Sequence, residues 1–543
     1  MAGRLVFVCA LVAMTNHDVS ARLQYLWNMQ RYLGLAAYGA IWGVSLVALL
    51  AVAVTPSRLG RLIWVVPVAV STFIADAYYD LTKLHFDIET ADAFWQMRFW
   101  AKEAVQTFGI QMWGPSAKVG ALAALLCLPP RLPRPGRRAL LWLPLLPLIL
   151  SIGLLYRTGG YAAEGLPSQF STTAFSVLLA AFPMPTWERD PVRIALREPP
   201  YAAKIVLIVD ESIRADFIDF AHPGGVTPFL AQHASSFVNY GIATAGNICS
   251  QPSNAILRMG ANPRTLRSTD GRSMMQSPSV WKYAKVAGYR TVFLDGQATD
   301  GVLINYMNAA EKALVDDFIQ VRMPAGFDND MDIARRLGNM LRDPVPRFIY
   351  INKRGAHFPY DAAYPPSGAR YVPTAGGTAT ADRHRLLNSY RNAVRWSVDE
   401  FFHRLLSGLD LKDALIVYTS DHGQNLLEDG DPVTHCRQAA TFREAAVPLL
   451  VVTGDDRARA RFAASALRNR DRASHFQIFP TILQAMGFDT EEIRHTYWLT
   501  LTDDAPEPLG YTSGPIFGRF HTRPTWHAAD ALDRHLASAD GNP

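Results

Sequence analysis

The hydrophobic positions divide the chain into two unlike parts, and the first contains long uncharged runs. Residues 32–54 and residues 139–156 carry no charged side chain. A helix of about 20 apolar residues is long enough to cross about 30 Å of membrane hydrocarbon. Each of these runs is therefore predicted to form a membrane-spanning helix.

Three further runs are less uniform. Residues 62–79 are apolar apart from Asp76, and residues 116–130 contain Lys118, whose long side chain could extend to the membrane interface. Both are predicted to span the membrane. The ten-residue run 5–14 is interpreted either as a short first span or as a signal-like stretch. The first part of the chain thus predicts a bundle of about five helices.

Charges in the connecting loops predict the orientation of this bundle. The loops around Arg58 and Arg61 and at 131–138 are short and purely basic. Basic loops stay in the cytoplasm by the positive-inside rule, so everything after residue 156 is expected outside. The loop 80–115 has mixed charge and several aromatic residues, which suits either a helix lying in the outer interface or an ordinary long loop.

Beyond residue 200 the apolar runs become short. Ile205–Val209 and Leu415–Tyr418 each end abruptly in acidic and hydroxyl residues, and both are typical of buried parallel strands. Ligands of open α/β sheets bind outside the carboxyl ends of such strands. Glu211 follows the first strand, and Asp421 and His422 follow the second. We expect the two strand ends to converge on one cation.

The residue types at these strand ends suggest metal-assisted chemistry. Carboxylate oxygens and an imidazole nitrogen suit a hard or borderline cation, and a hydroxyl in its coordination sphere loses its proton more easily. Ser250 is the candidate hydroxyl and the candidate nucleophile. The predicted metal ligands are Glu211, Ser250, Asp421 and His422. Asp210 is left open, either as a fifth ligand or as a hydrogen-bond acceptor that orients the site.

Several motifs carry a family resemblance. The stretch SQPSNAILRMG, from Ser250 to Gly260, resembles the sulfatase signature, and IVDESIRAD, TSDHG and GAHFPY resemble the wider alkaline-phosphatase superfamily. Over residues 204–488 the chain looks most like the membrane-anchored phosphoethanolamine transferases. The resemblance implies an N-terminal α-helical transmembrane bundle followed by an α/β/α alkaline-phosphatase-like (sulfatase-like) domain with a mostly parallel central sheet.

The same resemblance implies a reaction. Phosphoethanolamine would pass from phosphatidylethanolamine to an envelope glycolipid or glycan, such as lipid A or lipopolysaccharide core, through a covalent phospho-Ser250 intermediate. His357 matches a histidine that contacts the phosphoryl group, with a solvated loop histidine as the alternative. His435 matches a further active-site histidine. The expected cofactor is zinc, one ion with a second left open, because an imidazole ligand favours zinc over calcium.

The sequence also departs from this family. Ser250 stands where the transferases usually have threonine, Asn254 replaces the sulfatase arginine, and Asp210 stands where glycine is common. Asp300 is acidic in a stretch where the transferases place a basic donor-binding residue. A phosphoglycerol transferase acting on periplasmic glucan and a membrane-anchored sulfatase or phosphodiesterase therefore remain alternatives. A non-catalytic envelope scaffold is a further alternative, but the intact metal-binding residues argue against it.

Charge and the predicted domain organisation indicate the class of partner and the compartment. The 543 residues carry a net charge of +5 with basic residues spread along the chain, which argues against a nucleic-acid partner. The predicted organisation is a transmembrane bundle at 1–156, a Pro- and Gly-rich linker at 157–200, a periplasmic catalytic domain at 201–525 and a tail at 526–543. The expected location is a bacterial inner membrane, with several spans and membrane lipid as a partner.

The four cysteines predict one disulfide. Cys9 and Cys127 fall in predicted membrane helices, which leaves Cys249 and Cys436 in the oxidising compartment. Each neighbours a candidate active-site residue, Ser250 or His435. We predict a Cys249–Cys436 bridge, with two buried free thiols as the alternative.

Overall fold

The computed structural model divides the chain into two compact units, one extending to Pro185 and the other beginning at Thr186. Each unit is described by itself. The described residues are 2–82, 85–96, 109–129, 141–160, 162–183, 188–268, 272–377, 382–428, 435–436, 440–505, 510–514 and 524–529.

The described part of the first unit is helical. Its helices are α1 (Ala2–Met14), α2 (Val19–Asn28), α3 (Tyr32–Val54), α4 (Arg58–Thr82), α5 (Ile88–Gln96), α6 (Trp113–Cys127), α7 (Leu145–Thr158) and α8 (Ser168–Ala181).

Two of these helices, α3 and α4, are long and apolar enough to cross a membrane by length and composition. Helix α3 coincides with the predicted span 32–54, and α4 contains the predicted span 62–79. Helices α1, α6 and α7 match the other predicted runs but are shorter. The count of five spans stays a prediction, and the basic loop 131–138 lies outside the described residues.

Lys118 forms ion pairs inside the helical unit, whereas the sequence suggested that its side chain extends to the membrane interface. Its Nζ lies 2.7 Å from Asp76 Oδ2 and 3.5 Å from Asp80 Oδ2. The Asp76 side chain is fully buried and also lies 2.9 Å from His17 Nε2. A carboxylate among apolar helices is costly unless it is paired, so these contacts explain how α4 tolerates an acidic residue.

The range 157–200, predicted as a linker, contains helix α8. Phe170, Ala174, Phe175 and Leu178 are all buried against the other helices of this unit. Their spacing places them on one side of the helix, so burial of an apolar stripe stabilises α8 although glycine and proline residues precede it. The predicted interfacial loop 80–115 contains the short helix α5.

The second unit is built on a seven-stranded sheet in the order β2-β7-β6-β1-β5-β3-β4. The strands are β1 (Lys204–Asp210), β2 (Val238–Thr244), β3 (Arg290–Asp295), β4 (Asp317–Gln320), β5 (Arg347–Asn352), β6 (Ala414–Ser420) and β7 (Ala446–Thr453). Strands β6, β1, β5, β3 and β4 are mutually parallel, whereas β7 is antiparallel to both of its neighbours. The predicted mostly parallel sheet is confirmed.

Helices cover both faces of this sheet. They are α9 (Pro228–Gln232), α10 (Ser250–Met259), α11 (Pro263–Ser268), α12 (Arg272–Gln276), α13 (Val280–Val286), α14 (Ala309–Lys312), α15 (Asn329–Arg342), α16 (Arg383–Val394), α17 (Phe401–Leu406), α18 (Phe442–Ala445), α19 (Asp456–Arg468), α20 (Ile478–Ala485) and α21 (Thr490–Thr496).

Successive side chains of β1 belong alternately to two apolar cores, one on each face of the sheet. Ile205, Leu207 and Val209 belong to one apolar cluster, which includes residues of α10, α13, α19 and α20. Val206 and Ile208 belong to a second cluster, with residues of α15, α16 and α17. Successive side chains of a strand point to opposite faces, so a continuous apolar strand requires helices on both sides. This is the predicted α/β/α arrangement.

A small second sheet joins β8 (Gly510–Ser513) and β9 (Thr525–Ala528). Strand β9 crosses the boundary predicted at residue 526 between the catalytic domain and the tail. The residues beyond 529 lie outside the described part of the chain.

Candidate metal centre

Two neighbouring strands deliver the acidic and imidazole groups. Strands β1 and β6 pair in parallel with Asp210 opposite Ser420, so Glu211 and the Asp421–His422 pair leave the sheet side by side. Ligand atoms of Glu211, Asp421 and His422 all lie within 4.8 Å of one another, and all three residues are buried. The predicted convergence of the two strand ends is present in the structure.

Ser250 is brought to the same place by another element. It is the first residue of α10, and its Oγ lies 3.4 Å from Glu211 Oε2 and 3.1 Å from His422 Nε2. The first backbone N–H groups of a helix have no partner within the helix and favour negative charge. The hydroxyl therefore lies beside the acidic group and at a helix end that suits a phosphoryl group.

The charges of this group influence one another strongly. Burial would raise the pKa of Glu211, but its hydrogen bond to His422 and the His422 charge lower it below its ordinary value. Burial and the charge of Glu211 raise the pKa of Asp421 well above its usual range. Burial would lower the pKa of His422, yet the charges of Asp421 and Glu211 raise it to about 9. Positive charge is thus strongly favoured at this point.

The donor set fits a zinc ion. Asp421 Oδ1 accepts backbone N–H bonds from Ser212 and His422, whereas the buried Oδ2 accepts no hydrogen bond from the described residues. His422 Nδ1 lies 2.6 Å from the Gly423 carbonyl, which leaves Nε2 facing Ser250 and Glu211. A metal-ligating histidine commonly donates its other ring N–H in this way. Among the described residues, this is the group of acidic and imidazole side chains that could hold a metal.

The two further histidines lie around this group. The His435 ring stacks on His422 with 4.0 Å between the centroids, and its Nδ1 lies 2.9 Å from Gln424 Oε1. Burial and the charge of His422 lower the pKa of His435, so the ring is neutral. His357 is exposed on the loop after β5, and its charge contributes to lowering the pKa of Glu211. Its Nδ1 lies 2.6 Å from the Phe358 carbonyl.

Both oxygens of Asp210 accept hydrogen bonds, and Asp210 is not one of the three residues whose ligand atoms converge. Its Oδ1 accepts the Glu211 N–H at 3.0 Å, and its Oδ2 lies 2.5 Å from Lys353 Nζ and 2.8 Å from the Tyr418 hydroxyl. Burial raises the pKa of Asp210 to about 6, although Lys353 opposes this rise. Lys353 is itself fully buried, so it neither faces solvent nor reaches a substrate.

The residues that depart from the family have local partners. Asn254 Nδ2 donates to the Ser250 carbonyl, and its Oδ1 accepts from the Tyr350 hydroxyl. Asp300 pairs with Arg322 at the surface. Gln297 is a further residue of the site that was not predicted from the sequence, and its Nε2 lies 3.0 Å from Glu211 Oε2. The signal that could have found it is its position, two residues beyond the end of β3.

The predicted disulfide is confirmed. Cys249 and Cys436 are bonded, with 4.8 Å between their Cα atoms. The Cys436 N–H also donates to the Ile248 carbonyl at 3.1 Å. The bridge therefore joins the residue before Ser250 to the residue after His435.

Comparison with known proteins identifies the family. The sulfatase family model matches residues 203–488, just over half of the chain. The chain belongs to the sulfatase family. The match includes Glu211, Ser250, His357 and the Asp421–His422 pair.

Curated relatives of this sulfatase-family chain are transferases. It is 24% identical over 309 residues to Kdo(2)-lipid A phosphoethanolamine 7''-transferase of Escherichia coli K12, covering 53% of this chain and 52% of that protein. It is 28% identical over 166 residues to phosphoethanolamine transferase EptA of the same strain, covering 28% and 30%. The chain thus matches about half the length of the first relative.

A solved structure shares the fold over nearly the whole chain. The integral membrane protein lipooligosaccharide phosphoethanolamine transferase A of Neisseria meningitidis matches with a TM-score of 0.61 and 16% identity. The match covers 92% of this chain and 96% of that one. At this identity it shows a common fold.

Proposed function

We propose that this chain is a metal-dependent phosphoethanolamine transferase of the bacterial envelope. It would move phosphoethanolamine from phosphatidylethanolamine to a glycolipid or glycan, such as lipid A or lipopolysaccharide core. The observation that carries the proposal is the position of Ser250 Oγ, 3.4 Å from Glu211 and 3.1 Å from His422. The names of the curated relatives support the transferred group and the acceptor class.

Glu211, Asp421, His422 and Ser250 Oγ would hold the zinc ion. When bound there, zinc supplies the positive charge that activates a hydroxyl and stabilises charge on phosphoryl oxygens. One ion is proposed, because the described residues provide one such group.

The protein residues would perform two successive displacements. In the first, the Ser250 hydroxyl proton passes to a neutral imidazole of the site, Oγ bonds to the donor phosphorus, and the bond from phosphorus to the diacylglycerol oxygen breaks. The protonated imidazole gives that proton to the departing oxygen. In the second, the acceptor proton passes to the imidazole, the acceptor oxygen bonds to phosphorus, the bond from phosphorus to Ser250 Oγ breaks, and Oγ takes up the proton. His435 suits the role of proton acceptor, because its Nδ1 faces the side-chain amide oxygen of Gln424, which makes Nε2 the acceptor nitrogen of the neutral ring.

The helical unit would keep this site near its lipid donor. We propose a multi-pass inner-membrane protein whose second unit, the catalytic unit that carries the metal group, lies in the periplasm. The apolar helices α3 and α4 support this arrangement, together with Arg58 and Arg61 in the first turn of α4, beside the loop that joins the two helices.

A donor-swap assay tests the proposed function. Full-length protein in lipid vesicles would receive phosphatidylethanolamine, phosphatidylglycerol or an aryl sulfate, with a lipid A acceptor, and mass spectrometry would identify the product. We expect a mass gain of one phosphoethanolamine from the first donor. Glycerol phosphate transfer, or cleavage of the aryl sulfate without phosphodiester transfer, would contradict the proposal and favour the corresponding alternative.

Metal removal tests the cofactor. Chelation should inactivate the protein and added zinc should restore it, because Ser250 loses the charge that activates it. Glu211→Gln should reduce activity at least as much as His357→Ala. Equal restoration by calcium alone would argue against zinc and toward the chemistry of sulfatases.

A further inference from the structure

Gln297 is placed beside the metal group by a tight turn after β3. Asp295 ends this strand, and its Oδ1 accepts the backbone N–H groups of Gln297 at 3.0 Å and Ala298 at 3.3 Å. The Gly296 N–H donates to the Asn352 carbonyl of the neighbouring strand at 2.7 Å. Strands β3, β5 and β1 are parallel, so this turn lies at the same sheet end as Glu211.

The side chain of Gln297 uses its amide group twice. Nε2 lies 3.0 Å from Glu211 Oε2 and 2.8 Å from the Lys353 carbonyl oxygen. The other Glu211 oxygen, Oε1, accepts from the Ser212 hydroxyl at 2.7 Å. Each oxygen of the Glu211 carboxylate therefore has a neutral donor of its own, which fixes the rotation of the group about its last bond.

The neutrality of the amide matters for binding a cation. A lysine or arginine at this position would cancel the charge of Glu211 and compete with a metal ion for it. An amide orients the carboxylate but leaves its negative charge, and partners of this kind around metal ligands typically contribute about 10- to 100-fold to metal affinity. The second contact, to the Lys353 carbonyl, ties the same amide to the loop that carries His357.

We infer that Gln297 is a positioning residue of the metal site, which holds the Glu211 carboxylate in its metal-binding orientation. This inference rests on the proposed function only in requiring that a metal ion bind at Glu211, Asp421 and His422. It does not depend on the donor lipid or the acceptor.

The test measures zinc affinity of the full-length protein by competition with a chelator. Gln297→Leu removes both amide contacts and keeps the approximate size of the side chain, and we expect zinc to bind about 10- to 100-fold more weakly. Excess zinc should restore most of the turnover number, because the nucleophile and the ligands remain. A purely structural role would not produce this rescue by zinc. Gln297→Met serves as a second variant if the leucine variant is unstable.

The chain provides a control in Gln484, which is buried and also uses its side-chain amide twice. Its Nε2 donates to the Thr490 hydroxyl at 3.4 Å and its Oε1 accepts from the Thr502 hydroxyl at 3.2 Å, and neither partner belongs to the metal group. Gln484→Leu should leave zinc affinity unchanged. Unchanged affinity in Gln297→Leu, or an equal loss in Gln484→Leu, would overturn the inference.

Failure of the proposed function gives a different result. Wild-type protein that binds no zinc would overturn the metal-dependent function together with this inference. Transfer from phosphatidylglycerol in place of phosphatidylethanolamine would overturn the proposed donor and leave the role of Gln297 supported by its zinc affinity.

Discussion

Ser250 is the residue whose replacement best separates chemistry from metal binding. Ser250→Ala removes the attacking oxygen, so turnover should fall by more than about 10³-fold. Glu211, Asp421 and His422 remain, so the fold and most of the zinc binding should persist. Steady-state assays, zinc content and intact-mass detection of a phosphorylated serine would measure these effects.

Ser250→Thr is the matched variant, since it keeps a hydroxyl at the start of α10 and should retain measurable activity and the covalent intermediate. Full activity in Ser250→Ala would rule out the proposed nucleophile.

The Asp210–Lys353 pair gives a second prediction about single residues. Both side chains are fully buried, and Nζ lies 2.5 Å from Oδ2. Lys353→Met alone should destabilise the protein by about 3–5 kcal/mol, because it leaves a buried charge without its partner. The double variant Asp210→Asn with Lys353→Met should recover much of this loss. Thermal unfolding of the metal-free proteins would measure the coupling.

Zinc affinity in the double variant distinguishes Asp210 from the metal ligands. Both Asp210 oxygens already accept hydrogen bonds, so we expect affinity near that of the wild type. A loss as large as that in Glu211→Gln would show that Asp210 ligates the metal after all.

The residues of the site are predictable to different degrees. Glu211, Asp421 and His422 each follow a strand end directly, so strand pattern and parallel pairing place them together. The burial of Lys353 is not predictable, because most lysines are exposed and nothing local shows that its side chain turns inward. Gln297 is similar, since its contact with Glu211 depends on a turn after a third strand. Such contacts are set by the packing of several elements.

Secondary-structure elements show the same contrast. Strands β1 and β6 are predictable because a short, continuous apolar run that ends in polar residues is typical of a buried parallel strand. Helix α8 is not, because its apolar positions follow a stretch of glycine and proline residues that resembles a linker. Its burial against other helices, visible at Phe175, decides its structure. Tertiary packing here outweighs local pattern.

The disulfide gives a prediction about two connected elements, since Cys249 caps α10 and Cys436 follows His435 in the segment after β6. Cys436→Ser should lower the free energy of unfolding by about 2–5 kcal/mol, because the bridge closes a loop spanning 187 residues. Activity should also fall, because the segment carrying His435 is no longer tied to the start of α10.

Cys9→Ser, at a free cysteine in α1, is the control and should change neither quantity. Non-reducing peptide mapping should recover the linked peptides from protein matured in the periplasm. Recovery of Cys249 and Cys436 as alkylatable thiols would argue against the bridge.

For the whole molecule, the hydrophobic pattern predicts a helical unit and an α/β/α unit, and both are present. The ion pairs inside the helical unit are harder to predict from the sequence. Asp76 and Lys118 lie 42 positions apart, and only the packing of α4 against α6 shows that they meet. Charged residues in apolar helices usually have such a partner, yet the sequence does not say which one.

The orientation of the whole chain leads to the last prediction. Arg58 and Arg61 follow the loop between α3 and α4, so the positive-inside rule places this loop in the cytoplasm. The Cys249–Cys436 bridge independently suggests an oxidising compartment for the catalytic unit. Two exposed positions, Ser57 in that loop and Gly224 in the catalytic unit, can therefore report opposite sides of the membrane.

Single cysteines introduced as Ser57→Cys and Gly224→Cys, in a background with Cys9 and Cys127 replaced by serine, provide the measurement. A Cβ added at Gly224 meets no atom within 4 Å, so that substitution should be tolerated. In intact spheroplasts a membrane-impermeant maleimide should label Gly224→Cys, whereas Ser57→Cys should react only after permeabilisation, because the bilayer separates it from the reagent. The reverse pattern would place the catalytic unit in the cytoplasm. In that location the site could not reach a glycolipid acceptor in the periplasm, which would contradict the proposed function.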